Sequence, residues 1–178
     1  RRNDRQRVWV IQTREGAGLS HFYASILSGL RAPQAAGWRS LSCASEQVDH
    51  LLDSLKPRLL IFDEFYSALR GRRQDVKAIF SFLRRIARVH DISPVLVGEI
   101  AVYDALHDTD EMGSRFDTVP VPRWGFDEDF AALLDSLEAS IPLAQASNLS
   151  RLPLARMIHD LSEGLIGEVV DIVTRAAV

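Results

Sequence analysis

The sequence predicts an α/β protein: a parallel sheet with flanking helices over residues 1–125, followed by a small all-α subdomain over residues 126–178. Three observations carry this prediction. Short apolar runs rich in β-branched and aromatic residues alternate with stretches of helical periodicity, the pattern of strands that pair in parallel beneath covering helices. Pro120-Val-Pro-Arg-Trp-Gly125 then interrupts with prolines and a glycine, which favour an extended connection and a turn. Beyond Gly125 no strand pattern appears.

In chain order, Arg7-Val-Trp-Val-Ile-Gln12 reads as a buried strand, and a loop bearing Gly16 and Gly18 leads into a helix from Ser20 to Leu30. Leu41, Ala44, Val48, Leu51, Leu52 and Leu55 recur at spacings of three and four, an amphipathic helix with Ser40 as N-cap and Pro57 beyond its end. Leu59-Leu-Ile-Phe62 is a continuous apolar run that stops at Asp63-Glu64, as for a strand buried on both faces whose carboxyl end meets a polar cleft. Val76, Ile79, Phe80, Leu83 and Ile86 predict the next helix. Pro94-Val-Leu-Val-Gly98 predicts a strand, Ala101 to His107 a short helix, and Thr118-Val-Pro-Val121 a further strand. Phe130, Leu133, Leu134 and Leu137 mark the first helix of the C-terminal part, with Asp127, Glu128 and Asp129 in its first turn, where the helix dipole favours acids. Leu154 to Ser162 and Gly167 to Ala177 give two more.

The 178 residues are 47% hydrophobic and 25% charged, enough for a proper core and too apolar for a disordered tail. A net charge of −3 argues against a surface coated for indiscriminate nucleic-acid binding. The charge is uneven, however: residues 126–178 hold nine acids and three bases, which leaves +3 on residues 1–125. Cys43 is the single cysteine, so no internal disulfide and no C-x-x-C metal pair exist, and the cytoplasm is the expected compartment. No apolar run approaches the roughly 20 residues of a membrane-spanning helix, and no membrane partner is expected. The sequence opens on Arg1 rather than methionine, so further residues are expected upstream.

The most informative stretch is Leu59-Leu-Ile-Phe-Asp-Glu64. An apolar strand ending in adjacent acids suits a nucleotide hydrolase of the P-loop class: Asp63 to hold Mg²⁺, usually through water, and Glu64 to orient the attacking water. Many strands end in acids, so on these two residues alone a structural role stands equally. Arg70 to Arg88 holds seven basic residues, Arg70, Arg72, Arg73, Lys77, Arg84, Arg85 and Arg88, and one acid, Asp75. Lys77, Arg84 and Arg88 share a helix face opposite Val76, Ile79, Phe80 and Leu83, and the three earlier arginines occupy the preceding loop. This strip fits a double-stranded DNA backbone, held without base reading, and equally fits a solvated helix face. His21, His50, His90, His107 and His159 lack metal-ligand spacing. Trp9, Trp38 and Trp124 read as packing anchors, Met112 and Met157 as packing residues, and Cys43 as a small buried hydrophobe.

Several segments together resemble the TniB family of AAA+ transposition ATPases, relatives of TnsC. Phe22-Tyr23 with Ile26-Leu27, Leu30 and Ala32-Pro33 looks like the family's helix after its second core strand, and Leu60 to Gly71 like its Walker B strand and loop. Phe116 to Trp124, ending Val-Pro-Arg-Trp, resembles the strand leading to the lid. Ser147-Asn148-Leu149, Leu161-Ser-Glu-Gly164 and Ile166-Gly-Glu168 resemble the lid's turn and last helices. The likeness spans nearly the whole chain. It implies a P-loop NTPase core with a helical lid, ATP and Mg²⁺ as cofactors, and assembly as a homo-oligomeric ring or filament on target DNA that recruits or stimulates a transposase. It implies that Arg115, just before Phe116, reaches a neighbouring subunit's nucleotide; on spacing alone Arg115 also reads as an exposed arginine bridging Asp108, Asp110 or Glu111.

Departures from the family pattern qualify this. No G-x-x-x-x-G-K-[ST] motif is present. Thr13-Arg-Glu-Gly-Ala-Gly18-Leu19-Ser20 imitates its outline with leucine in place of the lysine, and two readings follow: a damaged P-loop, or, as the Phe22-Tyr23 match favours, a second core strand whose P-loop partner lies upstream of Arg1. Glu99 stands at the end of the Val95 strand where a polar residue would sense the γ-phosphate, and a carboxylate there repels phosphate unless Mg²⁺ or a base intervenes. Gly167 stands where many relatives carry a lid arginine. ATP hydrolysis is therefore implied by resemblance alone, and the alternative is a non-hydrolysing truncated remnant acting as an interaction or regulatory module. Loss of the P-loop strand would uncover apolar faces of its neighbours.

Overall fold

The structure, a computed structural model, describes residues 7–14, 16, 18–32, 40–107, 115–142 and 145–177. Trp38, Met112, Asp108, Asp110, Glu111 and Pro33 lie outside the described residues. The chain divides into two compact units, Arg1–Thr118 and Val119–Val178.

The first unit is built on three parallel strands, β1 (Val8–Gln12), β2 (Leu59–Asp63) and β3 (Ser93–Leu96), in the order β1-β2-β3. Val10 pairs with Ile61 and Ile61 with Val95, while Gln12 pairs with Asp63. Helices α1 (Leu19–Gly29), α2 (Leu41–Leu55), α3 (Tyr66–Leu69), α4 (Arg73–Val89) and α5 (Ile100–His107) connect or follow them. Sequence explains the boundaries. Ser40 caps α2, its hydroxyl accepting the Cys43 N–H at 3.3 Å, and Lys56 ends that helix in the left-handed conformation before Pro57. Gly18 caps α1 at φ 102°, a conformation that a side chain would strain.

The core is aromatic at its centre. Phe22 of α1 stacks on Phe62 of β2 at 5.5 Å and meets Phe82 of α4 edge-on at 5.6 Å, and Phe65 joins Phe62 to Phe80. Such pairs contribute about 0.5–1.5 kcal/mol each beyond the area they bury. Trp9, Ile11, Leu60 and Phe62 point into this core, but the alternate residues do not: Val8, Val10, Val95 and Val97 are 46%, 57%, 39% and 44% exposed. The expected strand buried on both faces is thus corrected to a sheet covered on one face among the described residues. A parallel strand reads as a continuous apolar run whether or not its second face has found its cover, so the run could not show this. Thr118–Val121, expected as a strand, joins no ladder in the described sheet. Cys43 is exposed rather than buried, because on α2 the core side belongs to Ala44, Val48 and Leu52.

The second unit packs α6 (Glu128–Ser140), α7 (Leu154–Ser162) and α8 (Ile166–Ala176) around Phe130, Leu134, Ile158, Val169 and Val173. Asp127 caps α6, its carboxylate accepting the Phe130 N–H at 3.0 Å. The turn between α7 and α8 grips the segment that enters the unit: Trp124 N–H donates to the Gly164 carbonyl at 2.9 Å, and Arg123 pairs with Glu163 at 2.6 Å. A side chain at Gly164 would run into the Trp124 carbonyl oxygen, so only glycine permits this approach. Two segments that the sequence offers 40 residues apart are one contact. Met157 is 54% exposed and is not the packing residue expected.

Candidate functional site

The carboxyl end of β2 forms a corner at the middle of the three strands. Thr13 N–H donates to the Asp63 carbonyl at 3.0 Å on one side, and on the other the Phe65 N–H donates to the Val97 carbonyl at 2.9 Å. Between these anchors Glu64 takes φ 50°, the left-handed region, and its N–H donates to Asp63 Oδ1 at 2.9 Å. Asp63 is half-buried and Glu64 exposed. Gly98 lets the end of β3 come in close, since a side chain there would sit 2.8 Å from Val102 Cγ2. Glu99 follows at the start of α5, exposed, its carbonyl accepting the Val102 N–H at 2.9 Å. The structure therefore places Asp63, Glu64 and Glu99 at the carboxyl ends of two neighbouring strands.

Two residues at the end of β1 flank this corner. Gln12 pairs with Asp63 in the register and is exposed on the same open sheet face; only the register reveals that proximity. Thr13 is 3% exposed, its hydroxyl lies on the opposite face, and that hydroxyl has no hydrogen-bond partner among the described residues. Within the stretch Thr13 to Ser20 the space beside Gly18 is taken. Gly71 packs against Gly18, and the Asp75 carboxylate lies 3.2 Å from where a Gly18 side chain would start, filling the space in front of α1 with negative charge.

The donor set suits a hard cation in part. Two accessible carboxylates, Asp63 and Glu64, supply oxygen ligands of the kind Mg²⁺ takes while keeping water. Among the described residues no group of three acids, histidines or cysteines is arranged to hold a metal, and none of them supplies a P-loop lysine. The corner fits the cation-and-water half of a nucleotide site and not the phosphate half. Arg115 stands in an exposed turn ahead of Phe116, which packs on the first unit's core, and makes no hydrogen bond or ion pair among the described residues; Asp108, Asp110 and Glu111 lie outside them.

The basic strip is sorted by the fold. On α4, Ile79, Phe80, Phe82, Leu83 and Ile86 are buried, and Lys77, Ser81 and Arg88 run along the exposed side with half-buried Arg84, whose Nη2 donates to Ser81 Oγ at 3.1 Å. Arg70, Arg72 and Arg73 are exposed at its start. Arg85 is directed elsewhere: it pairs with Asp49 of α2 at 2.6 Å and lies over the Phe82 ring. No helix among the described residues is long and apolar enough to cross a membrane.

No curated protein matches the chain. A family model does: residues 1–126 match the model described as bacterial TniB protein, which spans the whole first unit and the lead-in to the second, and the chain belongs to that transposition-associated family.

Proposed function

We propose that the chain is the core and lid of an AAA+ type ATPase that assembles with ATP on target DNA and recruits or stimulates a transposase. The observation that carries the reading is the Asp63-Glu64 corner: adjacent carboxylates at the end of the middle strand, open to solvent, one of them held in a left-handed conformation. Asp63 would hold Mg²⁺ and Glu64 would orient and deprotonate water. Arg115, which is exposed, would reach the nucleotide of a neighbouring copy in a ring or filament. Bound Mg²⁺ and ATP supply the phosphoryl chemistry. The strip from Arg70 to Arg88, without Arg85, would follow the duplex backbone. The cytoplasm suits such a protein.

The reading requires a phosphate loop that these residues do not contain, and the fold offers it a place. Ser93 and Val97 donate their N–H groups toward β2, so Pro94 and Leu96 face the outer edge of β3, where proline leaves no bare donor. Beside this edge lies the uncovered face of Val95 and Val97. A strand followed by a helix would cover both. A second reading, a non-hydrolysing interaction module, is favoured by Glu99 at the end of β3 and by Asp75 in front of α1. Steady-state ATP turnover of the encoded full-length protein, with and without duplex DNA, separates them: Glu64→Gln should lower turnover at least about 100-fold while leaving DNA binding intact. Turnover unchanged by that substitution removes Glu64 from the mechanism, and no turnover in the wild type leaves the interaction module.

A further inference from the structure

Helix α7 is apolar on more than the side it buries. Ala155, Ile158 and Ser162 lie in the second unit's core, and Arg156 and His159 flank the entering segment at Phe126. On the side away from that segment, Leu154, Met157 and Leu161 follow at i, i+3 and i+7, one stripe of the helix. Leu154 is half-buried, but Met157 and Leu161 are 54% and 64% exposed. Leu152 ahead of the helix and Leu165 after its turn are exposed too, at 71% and 41%. Exposed apolar side chains gathered along one element mark interaction surfaces more often than singly scattered ones do.

Size and charge specify the occupant. A single helical stripe falls far short of the 20–30 residues a side in a standard protein interface, too little to hold two copies of the chain together and about right for one short helix laid alongside. Residues 119–178 carry nine acids against four arginines. Three of those arginines are already paired, Arg123 with Glu163, Arg156 with Asp160 and Arg175 with Asp171. Glu128, Asp129, Asp135 and Glu168 have no ion pair among the described residues, so the field of this unit is negative.

We propose that the α7 stripe docks a short amphipathic helix of a partner protein, with apolar residues three and four apart and flanks rich in lysine and arginine. The proposal is independent of the nucleotide and DNA readings. The test uses the whole chain and two labelled synthetic helices of about 18 residues, both with leucine at the a and d positions, one with lysine and the other with glutamate elsewhere, followed by fluorescence anisotropy. The lysine peptide should bind, and the glutamate peptide should bind at least about tenfold more weakly. Met157→Asp with Leu161→Asp, or the milder pair Met157→Gln with Leu161→Gln, should weaken the lysine peptide by about tenfold or more while melting as the wild type does. Val119→Asp, at a valine 82% exposed elsewhere in the unit, should leave binding unchanged. The proposal is overturned if the lysine peptide does not bind, if both peptides bind alike, if all variants bind as the wild type does, or if sedimentation shows the wild type pairing with itself through Met157 and Leu161.

Discussion

The basic strip gives the sharpest functional prediction because the fold separates cations that the sequence grouped together. From Lys77 to Arg88 the α4 stripe extends about 16 Å at 1.5 Å per residue, long enough to pass several phosphates of one strand. Six cations line this strip, five of them exposed and Arg84 half-buried: Lys77, Arg84 and Arg88 along the helix and Arg70, Arg72 and Arg73 ahead of it. If each neutralises one phosphate, the log–log dependence of affinity on salt has a slope of about −5, and tripling the salt costs roughly 250-fold in binding. Arg84→Ala with Arg88→Ala removes two contacts, so the slope should relax to about −3.5 with little change in sequence preference. Arg85→Ala supplies the internal control. Its guanidinium is held by Asp49 at 2.6 Å, with both side chains about a third exposed. The slope should therefore stay near −5, while the melting temperature falls with an ion pair contributing about 0.5–1 kcal/mol. Fluorescence-polarisation titrations on a duplex at four or more salt concentrations read all three proteins. If the double variant keeps the wild-type slope, or if Arg85→Ala lowers it by as much as either stripe arginine, DNA does not lie along α4.

Two stability predictions follow from the remaining observations. Thr13→Val keeps the shape and removes a buried hydroxyl that has no partner among the described residues; it should stabilise the first unit by about 1 kcal/mol, raising its melting temperature by about 4 °C. A lower melting temperature would mean the hydroxyl has a partner that it needs. In the second unit the backbone N–H groups of Leu149, Asn148 and Ser147 converge on the Glu138 carboxylate and hold its carboxyl below the ordinary value, against an opposing push from burial. A depressed carboxyl stabilises the folded state above the unfolded pKa, and that contribution is lost as pH falls through the folded value. The gap in melting temperature between wild type and Glu138→Gln should thus be constant above about pH 5 and close on acidification. A gap that does not change between pH 7 and pH 3 contradicts the assignment.

How much of this was legible in the sequence differs by element. Helices were legible where one face is buried: α2 and α4 carry their apolar residues at spacings of three and four, and Ser40 caps α2 as expected, while Asp127, expected in the first turn of α6, is its N-cap instead. The strands were legible as runs, and their order follows from chain order, but the bare face of Val8, Val10, Val95 and Val97 was not. Composition records that a side chain is apolar and not whether anything covers it. The four-residue helix α3, too short for a period to show, was missed. At the site, Asp63 and Glu64 stand out because acids end an apolar run. Gln12 and Thr13 become relevant only when the β1–β2 register puts them beside Asp63. The diversion of Arg85 to Asp49 joins residues 36 apart on two helices, and no local pattern encodes it.

The conformation of Glu64 is the strongest argument that its carboxylate has work beyond structure. Left-handed backbone costs a residue with a Cβ about 1–2 kcal/mol. The other charged residues that adopt it, Arg31, Lys56, Asp91 and Glu163, all follow the ends of helices, where a left-handed residue closes the last turn and satisfies its carbonyls. Glu64 follows a strand and closes no helix. Its N–H is taken by the neighbouring Asp63 carboxylate rather than by a carbonyl, and Phe65 must still turn inward to reach both Val97 and the aromatic core. Glycine would make this turn without strain and asparagine with less of it. A glutamate there gives up stability to hold an acid at the mouth of the middle strand. Such an outlier supports a functional role in a way that an acid in relaxed backbone does not. The structural alternative for the Asp63-Glu64 pair requires only that the strand end in something polar, and it offers no account of why the second acid occupies the one strained position after a strand.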